Sequence, residues 1–344
     1  MALSKIQNSS MADNTIHGRR NIIINGAFQV AQRGTSTASI SSGNNFVLDR
    51  TRFQLSNGGT WTMSQSTTVP SGQGFSNSLK LDCTTADTSL GSGDYLLIQQ
   101  LIEGQDVQQF AFGTSDAKSV TVSFWIRSNK TGTYTLEVQQ QNSSSGFYQN
   151  AKTFTISSAN TWEKKEITFV GNTSQNIINS NAVGFYVSIW LGTGTSRTSG
   201  TFTNGTWHNT TANRISSSNV NLADSTDNEL YLTGLQLEVG SQATPFEHRS
   251  FGEELALCQR YCQTLMNYGA GDADGNRLYN ADYNGGNNMS FVRMGHTRMR
   301  QKPSVTYGTS QTIGYDYSAN NLIQFFKDGS VNWRIYEVLL ESEL

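Results

Sequence analysis

The sequence predicts an all-β protein: an antiparallel jelly-roll sandwich, then one α-helix, then a smaller C-terminal β-region. Three observations predict it. Apolar and polar residues alternate along about ten short segments, the period of a half-buried strand. No helical period separates those segments, and the connections are short and rich in Gly, Ser, Thr and Asn, as in sandwiches. Proline occurs only at positions 70, 245 and 303, so most segments are free of residues that break a strand ladder.

Residues 1–20 are polar with scattered apolar positions and show no alternation. They read as an N-terminal arm that is either a frayed terminus or, with Leu3, Ile6, Met11 and Ile16 as anchors, a segment that docks on another protein. Asn21–Val30 reads as a strand interrupted by Asn25-Gly26. Phe46–Leu55 and Trp61–Ser66 flank Asn57-Gly58-Gly59, which predicts a hairpin. Ser78–Cys83, Tyr95–Leu101, Val120–Arg127, Thr133–Gln141, Ala151–Ile156, Trp162–Val170, Val183–Leu191 and Leu230–Val239 complete a sandwich over residues 21–248. A long Gly/Ser/Thr/Asn stretch lies between Leu191 and Asn221, a length usually reserved for function or mobility.

The helix is predicted after Ser250, which forms a capping box with Glu253. Phe251, Leu255, Cys258, Cys262 and Leu265 recur at steps of four and three. That apolar stripe predicts a linking helix over 249–268 and an oligomer seam near a threefold axis. Its bland alternative is packing on the chain's own sandwich. Beyond it, Met289–Met294, Ser304–Tyr307 and a hairpin of Ile323–Phe326 with Val331–Ile335 predict a second β-domain over 269–344.

Composition limits the function classes. The 24 basic and 26 acidic side chains leave no basic excess to neutralise phosphates, which argues against nucleic-acid binding. Only 15% of residues are charged, while 17 Phe, 13 Tyr and 6 Trp need burial or a ligand. The expectation is a β-protein with a neutral, hydrogen-bonding surface. Three cysteines, Cys83, Cys258 and Cys262, make no disulfide framework. No signal-peptide core and no run long enough to span a membrane is present, so synthesis in a reducing cytoplasm and no membrane insertion are expected.

Two sequence blocks carry a resemblance. Asn21-Ile-Ile-Ile-Asn-Gly-Ala-Phe-Gln-Val-Ala-Gln-Arg-Gly34, followed by Leu48-Asp49-Arg50, resembles the opening of phage tail-fibre and virion-surface proteins. Leu235–Arg249 with Gly252–Tyr261 resembles the matching close, and Ser342-Glu343-Leu344 resembles the terminus. In tailed phages of marine bacteria and cyanobacteria such blocks bracket a jelly roll similar to carbohydrate-binding modules. The resemblance implies a virion component, usually a homotrimer and often involved in host attachment; the expected partners are then host polysaccharide and, through the arm, tail or capsid proteins. A head fibre or decoration protein, a free monomeric carbohydrate-binding module, and a glycan-cleaving enzyme are the alternatives. Related jelly rolls often hold a calcium with an Asp pair in the last strand; here that strand carries Thr233 and no Asp.

Candidate sites follow from residue chemistry. Trp125, Tyr148 and Trp207 are the candidate sugar platforms, because a ring face stacks on the apolar face of a pyranose; trimer packing or coverage of a sheet face is the alternative for each. An enzyme is not expected. The four histidines, at 17, 208, 248 and 296, are scattered, and no nucleophile elbow, phosphate loop or zinc-protease pattern occurs. Folding alone would have to bring together two of Asp49, Asp106, Glu137 and Glu238 for glycoside hydrolysis. Asp272-Ala-Asp274-Gly275-Asn276 imitates the start of a calcium loop, but Tyr283 stands where the bidentate Glu belongs, so no metal or other cofactor is expected.

Overall fold

A computed structural model describes residues 19–142, 146–265, 279–281, 290–309, 314–318, 322–327 and 333–344. The first body holds β1 (Ser36–Asn45), β2 (Thr51–Ser66), β3 (Ser78–Thr85), β4 (Tyr95–Glu103) and β5 (Val120–Ser128). It continues with β6 (Gly132–Gln141), β7 (Phe147–Ile156), β8 (Glu163–Phe169), β9 (Val183–Thr193) and β10 (Glu229–Val239). All pairings are antiparallel, in the order β7-β6-β9-β4-β2-β3-β10-β5-β8, with β1 also on β2. Two four-strand runs, β3-β10-β5-β8 and β4-β9-β6-β7, interleave in the jelly-roll manner.

β2 joins the two runs. Thr51–Ser56 pairs with β4, and Thr60–Ser66 pairs with β3. Between them Asn57, Gly58 and Gly59 take φ of 55°, 85° and 82°. The predicted hairpin is therefore a corner inside one strand. A Cβ on Gly59 would stand 2.3 Å from the Thr85 carbonyl oxygen, so glycine lets β2 fold over that neighbour. β1, built from Ser, Thr and Gly that gave no alternation, pairs along both arms of the corner.

The core lies between the two runs. Phe53, Ile98, Leu136 and Val187 on one side meet Leu79, Val122, Phe124 and Leu230 on the other, all at most 2% exposed. Burial of each such side chain contributes about 1.5–3 kcal/mol.

The predicted strand over Asn21–Val30 is replaced by irregular but buried chain, because asparagine side chains take over the ladder's role. Asn21 Oδ1 accepts from the Ile23 and Leu237 amides at 3.0 and 3.1 Å. Asn25, in the left-handed region at φ 60°, accepts from the Val30 amide and donates to the Val30 and Asp49 carbonyls. The opening and closing blocks that carry the family resemblance thus meet in space.

Helix α1 (Phe251–Cys258) begins as predicted, with Ser250 Oγ accepting from the Glu253 amide at 3.3 Å. It ends at Cys258, short of the predicted 268. Tyr261 is drawn into the sandwich, where its hydroxyl donates to Glu103 at 2.8 Å and Arg50 lies 3.5 Å from its ring centre. Cys262–Thr264 then forms β11, paired with the terminal strand. Cys262 and Leu265 are therefore not on the helix, and the predicted five-residue seam does not exist as one helical face. The helix buries Glu254 and Cys258 instead, and Phe251 is 56% exposed. Glu254 accepts from the Asn25 amide at 2.5 Å, a polar anchor that counting apolar positions cannot find.

The C-terminal region has two small sheets. β11 (Cys262–Thr264), β12 (Tyr279–Ala281) and β14 (Ser304–Thr309) all pair with β17 (Trp333–Glu341). β13 (Ser290–Gly295), β16 (Leu322–Lys327) and β15 (Gly314–Ser318) form the other. The predicted hairpin of Ile323–Phe326 with Val331–Ile335 is not formed, because β16 pairs with β13 and β15 while β17 lies in the other sheet. Tyr307, Tyr315 and Phe325 pack edge-on and tilted at 5.3–6.3 Å beside that choice. The terminus is pinned to the sandwich: Glu343 accepts from Arg33 at 3.0 Å and from Arg50 at 2.5 Å.

Candidate functional site

Strand alternation sends one set of side chains from β7-β6-β9-β4-β2 into the core and the other set outward. Register places the outward set in rows. Arg52 on β2 faces Gln99 on β4, which faces Ser188 on β9, which faces Glu137 on β6. The next row runs Gln54, Leu97, Trp190. A third brings Tyr186 beside Gln139. Phe147 on β7 stands at the rim, 42% exposed, with its ring 6.2 Å from that of Tyr186.

The chain between β9 and β10 closes one end of this face. Gly194 is required there, since a Cβ would lie 1.8 Å from the Gly91 carbonyl oxygen. The following turn, Thr195–Arg197, sets the Arg197 guanidinium 4.3 Å from the Tyr95 ring centre, donating to the Gly93 carbonyl at 3.1 Å. Ile215, fully buried, packs on Leu97 and Trp190 and fastens the segment to the sheet. Arg214 donates to Glu137 at 2.5 and 2.8 Å and to Gln139 at 3.2 Å. Trp190 Nε1 donates to the same carboxylate at 3.0 Å.

The result is a cleft of about 220 Å³ lined by Arg52, Gln54, Tyr95, Gln99, Gln139, Phe147, Tyr186, Arg197 and Arg214, with Leu97 and Trp190 in its floor. Three guanidinium groups and no carboxylate line it. Glu137 lies beneath, fully buried and bound by Arg214. Arg52 bonds to the Gln99 side-chain oxygen. Burial holds the Arg52 and Arg197 guanidiniums below their ordinary pKa, and Arg214 presses Arg197 further down. Half-exposed aromatic rings, amide groups and guanidiniums in one shallow cleft are suited to stacking on a sugar ring and bonding its hydroxyls.

The predicted platforms are not in this cleft. Trp125 lies on the other outer face, in a separate cleft of about 480 Å³ with Phe75, Phe246, His248 and Lys164. That cleft is larger, but three of its rings are engaged with each other: Phe75, Phe246 and His248 lie 4.9–5.1 Å apart. Its cation is also engaged, with Lys164 2.7 Å from Glu166. Tyr148 neighbours Phe147 on β7 but points to the opposite side, half-buried. Trp207 donates from Nε1 to the Val170 carbonyl at 2.8 Å and sets its ring edge-on to Phe112, which makes it a lid on the core. The structure thus separates the three residues, and the cleft's own residues were missed. Their signal was present as alternate positions on strands already legible: Arg52 and Gln54, Tyr95 and Gln99, Glu137 and Gln139, Tyr186 and Trp190.

Among the other predicted positions, Leu3, Ile6, Met11 and Ile16 lie outside the described residues, as does the 272–276 segment. Asp49, Glu137 and Glu238 are each at most 2% exposed and bonded. Asp49 accepts from Gln32, and Glu238 accepts from Thr244 and Gln236. Asp106 is exposed in the turn after β4. Thr233 donates to the Asn77 carbonyl at 2.7 Å. All three cysteines are buried and free.

No protein family and no curated protein matches this chain. Among solved structures, the chain is similar to the enzymatically active domain of bacteriophage CBA120 tailspike protein 4, with 10% identity and a TM-score of 0.33. That alignment covers 64% of this chain and 21% of the tailspike chain. It is also similar to the C-terminal family 22 carbohydrate-binding module of Clostridium thermocellum Xyn10B, with 12% identity and a TM-score of 0.32, over 61% of this chain and 98% of that one. A third likeness is to the xylan-binding domain of Paenibacillus barcinonensis Xyn10C: 14% identity and a TM-score of 0.28, covering 54% and 91% of the two chains. Likenesses this distant do not bear on ligand or activity.

Proposed function

We propose that this chain is a fibre or adhesin-like component of a phage virion that holds a host-surface glycan in the β7-β6-β9-β4-β2 cleft and does not cleave it. The observation that carries the glycan part is the cleft itself: the half-exposed rings of Tyr95, Tyr186 and Phe147 stand among Gln54, Gln99 and Gln139 and three arginines. Such a surface offers ring faces and fixed donors but no free carboxylate pair to protonate and displace a glycosidic oxygen. The virion part is supported by the opening and closing sequence blocks, which the fold joins through Asn21, Asn25 and Glu254. A homotrimer, with the arm docked on tail or capsid proteins, is part of the same reading.

A glycan array probed with the full chain tests it, with retained ligands then incubated and assayed for new reducing ends. Retention without new ends is the expected result. Retention that survives Tyr186→Ala and Phe147→Ala together would place binding elsewhere, and new reducing ends would make the chain an enzyme.

A further inference from the structure

Resting on that glycan reading, we infer that the cleft selects an acidic saccharide, one carrying a carboxylate or sulfate group, through Arg52 and Arg197. Three guanidiniums reach the cleft and one carboxylate answers them. Glu137 is consumed by Arg214 in a two-point contact at 2.5 and 2.8 Å, and it also accepts from Trp190. Arg52 and Arg197 have no carboxylate partner among the described residues. Arg52 is bonded to the neutral Gln99, and Arg197 to the neutral Gly93 carbonyl. The surplus is local, because the whole chain carries a formal charge of −2. A half-buried guanidinium without a counter-ion is costly, and an incoming anion supplies what is missing. Desolvation already weighs on both groups and lowers their pKa, which gives the anion more to offset.

The geometry also says where the anion sits relative to the sugar. Arg197 lies against Tyr95 at one end, Arg52 stands on β2 in the row through Gln99, and Tyr186 and Phe147 form the opposite rim. A sugar ring resting on the Tyr186 side thus points its acidic substituent toward β2 and the 195–197 turn.

The test is calorimetric titration of the full chain with three oligosaccharide sets: oligogalacturonate and oligoalginate, sulfated dextran oligomers, and neutral xylo- and dextran oligomers. Binding to the uronates or to the sulfated oligomers, at least tenfold tighter than to the neutral set, is expected, and the stronger arm names the anion. Arg52→Gln and Arg197→Gln should each weaken it about tenfold. Arg127→Gln, on the outer face of β5, should not, which separates site binding from general attraction to polyanions. Unfolding midpoints of all variants confirm that they fold. Equal binding of neutral and acidic sets, or acidic binding indifferent to both cleft arginines, overturns this inference and leaves the glycan reading standing. No binding to any set removes both.

Discussion

Glu137→Gln tests whether the cleft floor is held by one buried carboxylate. Glu137 is fully buried and accepts three hydrogen bonds, two from Arg214 and one from Trp190. The amide keeps the size of the side chain but replaces one acceptor with a donor that faces the guanidinium. Breaking one side of a buried ion pair costs about 3–5 kcal/mol. The Arg214 side chain is 18% exposed and opens onto the cleft, so water recovers part of that cost and the low end applies. A loss of about 3 kcal/mol lowers Tm by about 6–12 °C for a domain of this size. Urea unfolding followed by tryptophan fluorescence suits the measurement, because Trp190 bonds to the carboxylate. Adding Arg214→Gln should recover part of the loss, giving a coupling of about 1–3 kcal/mol in the double-mutant cycle. A loss below about 1 kcal/mol, or no coupling, would refute the view that this pair holds the cleft floor.

Other outcomes are equally specific. Burial raises the Glu103 carboxyl, but hydrogen bonds from Arg260 and Tyr261 outweigh it and hold its pKa below the ordinary 4.5. Its stabilisation is therefore present above pH 4.5 and lost as pH falls through the lower folded value, so a Tm-against-pH curve should drop more steeply for the native chain than for Glu103→Gln. Glu343→Ala leaves Arg50 without an acidic partner among the described residues, while Arg33 keeps Glu341 at 2.6 Å, and denaturant titration should show a loss of about 3 kcal/mol. Gly184→Ala sets a Cβ 2.3 Å from the Gly104 Cα and should cost about 1–3 kcal/mol in the same assay. The Cys83 thiol is pushed up to about 11 by burial, and Cys258 and Cys262 are also raised by burial. A thiol reagent at neutral pH should label none of the three until denaturant is added.

By itself the sequence determined the class of fold and most strand positions, because period-two alternation is written in neighbouring residues. Val120–Arg127 shows Val122, Phe124 and Ile126 on one face whatever lies beside it, and β5 spans nearly the same residues. The start of the helix was equally local, since Ser250 caps Glu253 three positions on. What the sequence could not determine was everything set by partners distant along the chain. Asn57-Gly58-Gly59 permits a hairpin or a corner, and the pairing of β2 with both β3 and β4 made it a corner. The apolar stripe after Ser250 permits a longer helix, but β17 claimed Cys262–Thr264 and Glu103 with Arg50 claimed Tyr261. The cleft depended most on tertiary structure. Arg52, Tyr186 and Arg197 are separated by up to 145 positions, and only the strand order β6-β9-β4-β2 brings them to one face. Alternation says which side chains leave the core; only the order of the strands says which of them meet.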